Sequence, residues 1–248
     1  MLRALTADLH VHTVLSPCAE VEMTPSLIVR RSLQLGLGLI AVTDHNASWN
    51  AEAVMQAALG SGLCVLPGME LQTREEVHLL CLFDSLDHCC QWQTEVWSLL
   101  PDLVNREEVF GPQFVVDATG DWIRTEPRLL AASVDIPLEA ATGRVHQLGG
   151  LAIPSPVDRP SFSLLANLGF VPDGLEVDAM EVTSRFVPGA DPVLGEALQG
   201  WPLLVNGDAH RLADLQARTT FIIEEPVIPE LLLALKGEKG RQVAVKWS

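Results

Sequence analysis

Four short motifs place carboxylates and imidazoles directly after apolar runs: Asp8-Leu9-His10-Val11-His12, Thr43-Asp44-His45-Asn46, Gly68-Met69-Glu70 and Asn206-Gly207-Asp208-Ala209-His210. With His78, eight residues beyond Glu70, they account for five of the chain's seven histidines. Imidazole nitrogen and carboxylate oxygen are the donors that Zn²⁺, Mn²⁺ and Fe²⁺ accept. Residues two apart on a strand share a face, so His10 and His12 can clasp one ion. Ions held this way turn bound water into a nucleophile near neutral pH and polarise the group it attacks, which is the chemistry of metal-assisted hydrolysis. No Ser-His-Asp arrangement is needed for it. Walker-type and Gly-x-Gly-x-x-Gly phosphate loops are absent, since Gly36-Leu37-Gly38 lacks the third glycine. Asp8 and Asp44, beside the histidines, either accept the second imidazole N–H and fix its tautomer or cap a turn. Arg159 and Arg211 could clamp phosphate with the guanidinium fork, the alternative being ion pairs at the surface. His88 and His146 fall on expected helices away from the motifs and read as solvent-facing or capping residues.

The motifs need a scaffold that brings them together across two hundred residues. Short apolar runs suited to buried strands recur at Leu39–Val42, Cys64–Leu66, Val77–Phe83, Leu151–Ile153, Ala179–Val182 and Leu203–Val205. Helical patterns lie between them. Thr24-Pro25 opens one that Gly36 ends, Ala51 to Leu59 is a second, and Leu138 to Leu148 is a third, stopped by Gly149-Gly150. Phe221–Ile223, Pro229–Leu235 and Val243–Val245 continue the alternation. Strand, helix, strand in repetition predicts parallel βαβ units, hence an α/β sheet or barrel whose C-terminal strand ends meet on one face. The stretch from Pro101 to Glu126 has little helical period and reads as an insertion or lid in a single domain over 1–248.

Thirty-two acidic against 16 basic side chains leave a formal charge of −16. A surface this acidic repels polyanions, so long duplex nucleic acid is not expected as a partner and a small phosphorylated substrate is. Apolar residues at 48% exclude a disordered chain. No signal-like or membrane-spanning run is visible. Five cysteines, odd in number and irregular in spacing, make a poor disulfide framework and suit a reducing, cytoplasmic setting. The oligomeric state is not legible.

The motifs above, in that order, together with Gly149-Gly150-Leu151-Ala152-Ile153-Pro154, resemble those of the PHP (polymerase and histidinol phosphatase) phosphoesterases over about residues 6 to 215. The resemblance implies a distorted (β/α)7 barrel of PHP type and two or three divalent ions, Zn²⁺, Mn²⁺ or Fe²⁺. It puts His10, His12, Glu70 and Asp208 on a first ion, with Glu70 bridging to a second that His78 also holds. His45 and His210 would hold a third with Cys18, where the family commonly has His or Asp. Glu70 and Asp208 would be the catalytic pair, with Arg159, Arg211 and Ser155 toward the substrate. Where the family continues with a histidine for the second ion, this chain reads Ser155-Pro156, and Pro156 has no side-chain donor. Completion of that site would then fall to water, substrate, Ser155 or Asp158. The implied activity is metal-dependent hydrolysis of a small phosphorylated substrate: a nucleotide, a short oligonucleotide end or a phosphorylated metabolite. The alternative is a weakened PHP module that binds metal or a phosphorylated ligand for regulation.

Overall fold

In a computed structural model, described here for residues 1–247, the chain is built of eleven strands and eight helices, alternating over most of the described residues. The order is β1 (Arg3–Val11), α1 (Pro25–Gln34), β2 (Leu39–Val42), α2 (Ala51–Ala57), β3 (Cys64–Gln72), β4 (His78–Leu82), α3 (Leu86–Leu99), α4 (Glu107–Phe110), β5 (Phe114–Val116) and β6 (Trp122–Thr125). It continues with α5 (Leu138–Gln147), β7 (Leu151–Pro154), α6 (Leu164–Leu168), β8 (Met180–Glu181), α7 (Pro192–Ala197), β9 (Leu203–Leu204), β10 (Thr219–Ile223), α8 (Ile228–Leu235) and β11 (Gln242–Val245). Helix α1 starts at Pro25, whose fixed φ and missing N–H suit the first turn, while the Thr24 side chain makes no cap bond.

Seven strands form one mixed sheet in the order β11-β10-β1-β2-β3-β4-β7. Parallel pairing, expected throughout, is confined there to β1–β2 and β2–β3, whereas β3–β4 and β4–β7 run antiparallel. Residues 73–77 are too few for a crossover, which needs a dozen or more, so β4 must turn straight back along β3. The sheet curls until its far side meets its start. Asp178 N donates to Ala152 O beyond β7, β8 pairs in parallel with β9, and the β9 exit bridges β1 at Val11 and Ala209. The ring β1-β2-β3-β4-β7-β8-β9 is thus an α/β barrel of distorted, seven-stranded form. Leu9, Leu39, Leu66, Leu80, Ile153 and Leu204 from six of these strands share one buried apolar cluster, which α8 extends through Leu231. Burial of that aliphatic surface is the main force holding the ring closed.

The segment 101–126 contains α4 and the β5–β6 hairpin and packs on the loop after β1. Phe114 N donates to Val14 O, and Asn50 bonds both Phe114 O and the Val116 N–H. Gly111, at φ +95°, is where the segment touches that loop, and a Cβ there would collide with the Pro17 carbonyl oxygen. No helix among the described residues is long and apolar enough to cross a membrane.

Candidate metal centre

Each motif reaches the centre through a local backbone feature. The register of β1 on β2 shifts between Asp8 and Val11, a bulge that re-aims the side chains at the strand exit. His10 and His12 emerge there fully buried, with their Nε2 atoms 3.1 Å apart. His45 and Glu70 lie side by side because the Glu70 N–H donates to Asp44 O and the Asn46 N–H to Glu70 O. In the β3–β4 hairpin, His78 stands opposite Gln72 and therefore diagonal to Glu70, which brings its Nδ1 to 2.7 Å from Glu70 Oε1. Asp208, after β9, adopts φ +46°. Gly207 beside it admits no side chain, since a Cβ would lie 2.6 Å from both Asp214 O and Asp8 Oδ2.

Glu70 is the hub. Its two oxygens lie 3.3 Å from His10 Nε2, 3.4 Å from His12 Nε2, 2.9 Å from His45 Nδ1 and 2.7 Å from His78 Nδ1. Asp208 Oδ1 lies 3.4 Å from His10 Nε2 and 3.5 Å from His12 Nε2. Three overlapping donor groups result: His10, His12, Glu70 and Asp208; His45, Glu70 and His78; and His12, His45 and His210. Three of the donor atoms, His45 Nδ1, Glu70 Oε2 and Asp208 Oδ1, are buried and make no hydrogen bond, the 2.9 Å approach of the first two lacking the alignment of one. Buried polar atoms are paired in the great majority of cases, so orphans aimed at a common point fit a divalent cation. The N/O donor set suits one as well.

Charge follows the same logic. Burial pushes the Glu70 carboxyl up, but the charges of His78, His10 and His45 outweigh it and hold it well below the usual range. Asp208 is likewise held low: His10 and His12 outweigh its burial. His10 is raised well above an ordinary imidazole despite burial, because Glu181, Asp208 and Glu70 surround it. His12 goes the other way, lowered by burial and by His210 and His45.

The remaining residues singled out from sequence divide between the centre and its surroundings. Cys18 lines the cleft with His45 and His210. Burial pushes its thiol up, but the neighbouring His45 and His210 imidazoles bring it down to about 6. The three histidines of that group meet without it. Arg159 reaches the centre, its Nη1 donating to Asp208 Oδ2 at 2.6 Å. Arg211 does not: it is exposed and pairs with Glu20 at 2.8 Å, so the phosphate-clamp reading gives way to a surface ion pair. Ser155 is buried behind His10, its Oγ 2.9 Å from Nδ1 while Nε2 faces the other donors, so it supports an imidazole and does not face a substrate. Asp158 accepts from the Thr183 N–H and hydroxyl and is equally removed from the second group. His45 supplies that group instead. Neither Asp8 nor Asp44 touches an imidazole. Asp8 accepts from Gly207 N and Gln216 N, and burial raises it to about 7. Asp44 accepts from the Thr13 N–H, the Thr13 hydroxyl and the Ser16 hydroxyl, and Ser16 Oγ in turn lies 2.8 Å from His12 Nδ1. His88 is exposed on α3, whereas His146 lies 2.9 Å from Asp178.

Glu181 is the residue that sequence reading missed. It sits 3.0 Å from His10 Nδ1, accepts from Asn206 Nδ2 at 2.6 Å and is buried. Its signal was a lone carboxylate inside the apolar run Ala179-Met180-Glu181-Val182, where an unpaired charge would be costly. Glu181→Gln should weaken metal affinity roughly 10–100-fold, as loss of a carboxylate behind a ligating histidine does. Competition with a chelator measures it, and unchanged affinity would remove Glu181 from that role.

Comparisons with known proteins bear on the family and the fold. The PHP domain model matches residues 8–134, just over half of the chain. The 5'-3' exoribonuclease Rnm of Salmonella typhimurium is 31% identical over 90 residues, covering 34% of this chain and only 30% of that protein. The lesion-specific endonuclease PfuEndoQ of Pyrococcus furiosus superposes with a TM-score of 0.69 at 19% identity, covering 97% of this chain and 58% of that one. Endonuclease Q in complex with a 27-mer duplex substrate carrying an abasic lesion at the active site gives 0.66 at 19% identity, with coverage of 97% and 58%. The expectation that excluded long duplex nucleic acid is overturned by these relatives, one of which holds such a duplex at its active site. Net charge sums over the whole surface, whereas a strand is gripped locally, where bound cations are the largest charges. By that match over just over half of its length, the chain belongs to the PHP domain family, whose members are metal-dependent phosphoesterases.

Proposed function

We propose that the protein hydrolyses phosphate esters of nucleotides or nucleic acid strands, with Zn²⁺, Mn²⁺ or Fe²⁺ held by His10, His12, His45, Glu70, His78, Asp208 and His210. The observation carrying this reading is the convergence of seven donor residues in three overlapping groups, three of their atoms left orphaned, beside a guanidinium. When bound, the ions supply an activated water and neutralise phosphoryl oxygens. The chain's own residues do the rest. Glu70 belongs to two donor groups and so sets their spacing. Glu181 and Ser155 hold His10 from behind, and Asp44 holds His12 through Ser16. Arg159 spends one nitrogen on Asp208 and keeps the remaining fork for a phosphoryl oxygen. The cleft in front, about 470 Å³, is walled by Phe110 and Phe162. All five cysteines are free thiols, and we place the protein in the cytoplasm as one metallohydrolase unit.

Pro156 favours a second reading, a module that binds metal or ligand without turnover. It lines the cavity next to the cleft and gives no donor to the centre. One experiment separates the two: release of phosphate or nucleotide from mono- and diesters and oligonucleotides after Mn²⁺ reconstitution, with Asp208→Ala in parallel. Turnover that falls roughly 10³-fold in the variant supports the hydrolase. Absence of turnover on every substrate, with metal bound, selects the module.

A further inference from the structure

Arg159, which pairs with Asp208, lines two cavities at once. One is the cleft over His45, His78 and His210, about 470 Å³; the other, about 600 Å³, lies past Asp208 against Glu181, Arg185, Phe186 and Gln216. A phosphate monoester needs room on one side of phosphorus only. A diester needs it on both, and each of these spaces is of a size that takes a small ligand.

The chemistry of the larger cavity is selective. Four carboxylates line it, and each is already engaged: Asp158 with Thr183, Asp191 as the cap of α7 on Val193 N and Leu194 N, Glu181 with His10 and Asn206, and Asp208 with Arg159. Arg185 is the opposite case, exposed and with no ion pair among the described residues. Phe186 next to it is half-buried and packs on the core. Across the site the smaller cleft has its own aromatic wall, Phe162, held at φ +54° with its ring stacked on His78 at 5.4 Å. A bulky residue in the left-handed region is strained and persists where its surroundings hold it there. Aromatic faces with an unpaired guanidinium are the elements that bind single nucleotides without sequence preference, by stacking and by phosphate contact.

We infer that the larger cavity is a subsite for the nucleotide flanking the scissile phosphate, with its base against Phe186 and its phosphate on Arg185, so that the substrate is a phosphodiester strand spanning both cavities. This rests on the phosphoesterase reading, and its test is chosen to fail separately. The full chain, loaded with Mn²⁺, is assayed on bis(p-nitrophenyl) phosphate and on a short single-stranded oligonucleotide. Binding of a fluorescent phosphorothioate pentanucleotide is titrated across a salt series. Arg185→Ala should lower the kcat/KM ratio of oligonucleotide to small ester by about tenfold and reduce the salt slope of binding by about 0.7, the value for one phosphate contact on a single strand. Arg185→Lys should recover most of the slope. A ratio and slope that stay at the wild-type values in Arg185→Ala overturn the subsite. Wild-type protein that hydrolyses neither substrate overturns the phosphoesterase reading instead, and the salt slope still decides the role of Arg185.

Discussion

Glu70→Gln is expected to abolish turnover by roughly three orders of magnitude and to remove at least one bound ion per chain. The substitution keeps the shape of a side chain that is 1% exposed, so packing around it changes little. What it removes is charge and donor strength at the one residue common to the His10, His12, Asp208 group and the His45, His78 group. Asp208 belongs to one group alone, so it can be lost and the second group still keeps all its donors. Metal analysis after exhaustive dialysis, alongside rates on a diester, measures both effects. A variant that retains its full metal content would show that Glu70 does not bridge.

Asp44→Ala is expected to act on stability, destabilising the metal-free protein by roughly 3–5 kcal/mol, because it strips the shared acceptor from three buried donors. Asp44 is fully buried and takes three bonds of 2.7 Å, from the Thr13 N–H, the Thr13 hydroxyl and the Ser16 hydroxyl. Burial raises its carboxyl, and those same three bonds offset part of the rise. For a chain of this size the loss corresponds to a fall in Tm of roughly 10 °C. Calorimetry without metal isolates it from the stabilisation that bound ions add. Asp44→Asn, which keeps one acceptor oxygen, should lose less. Equal Tm values for Asp44→Ala and the wild type would show that the loop after β1 stands without this bond set. Ser16 also touches His12 Nδ1, so the same variant should loosen the first donor group.

Which side chains could serve as donors was legible from sequence because ligand chemistry is a property of side-chain type. His10, His12, His45, Glu70, His78, Asp208 and His210 carry imidazole or carboxylate at strand exits, and an α/β fold gathers strand exits on one face. The apolar runs likewise placed most of the strands, since burial of aliphatic surface is written in local composition. Several things were decided only by long-range contacts. The bulge in β1 that turns His10 and His12 inward is invisible to strict alternation. So is the closure of the ring through Ala209, which sets β9 against β1 across two hundred residues. Glu181 and Ser16 act through partners at sequence separations of 171 and four, and only the folded chain shows that both stand behind an imidazole of the donor cluster. Ser155 and Arg211 have the right chemistry for phosphate but point elsewhere, one at His10 Nδ1 and the other at Glu20. Net charge misled for a related reason: −16 is a sum over the chain, while Arg159, Arg185 and the donor cluster act at short range, where burial and the direction of each side chain outweigh the total. Residue type thus specifies which chemistry the chain can support, and tertiary contacts specify which atoms are aimed at it, because direction depends on partners that sequence spacing does not encode.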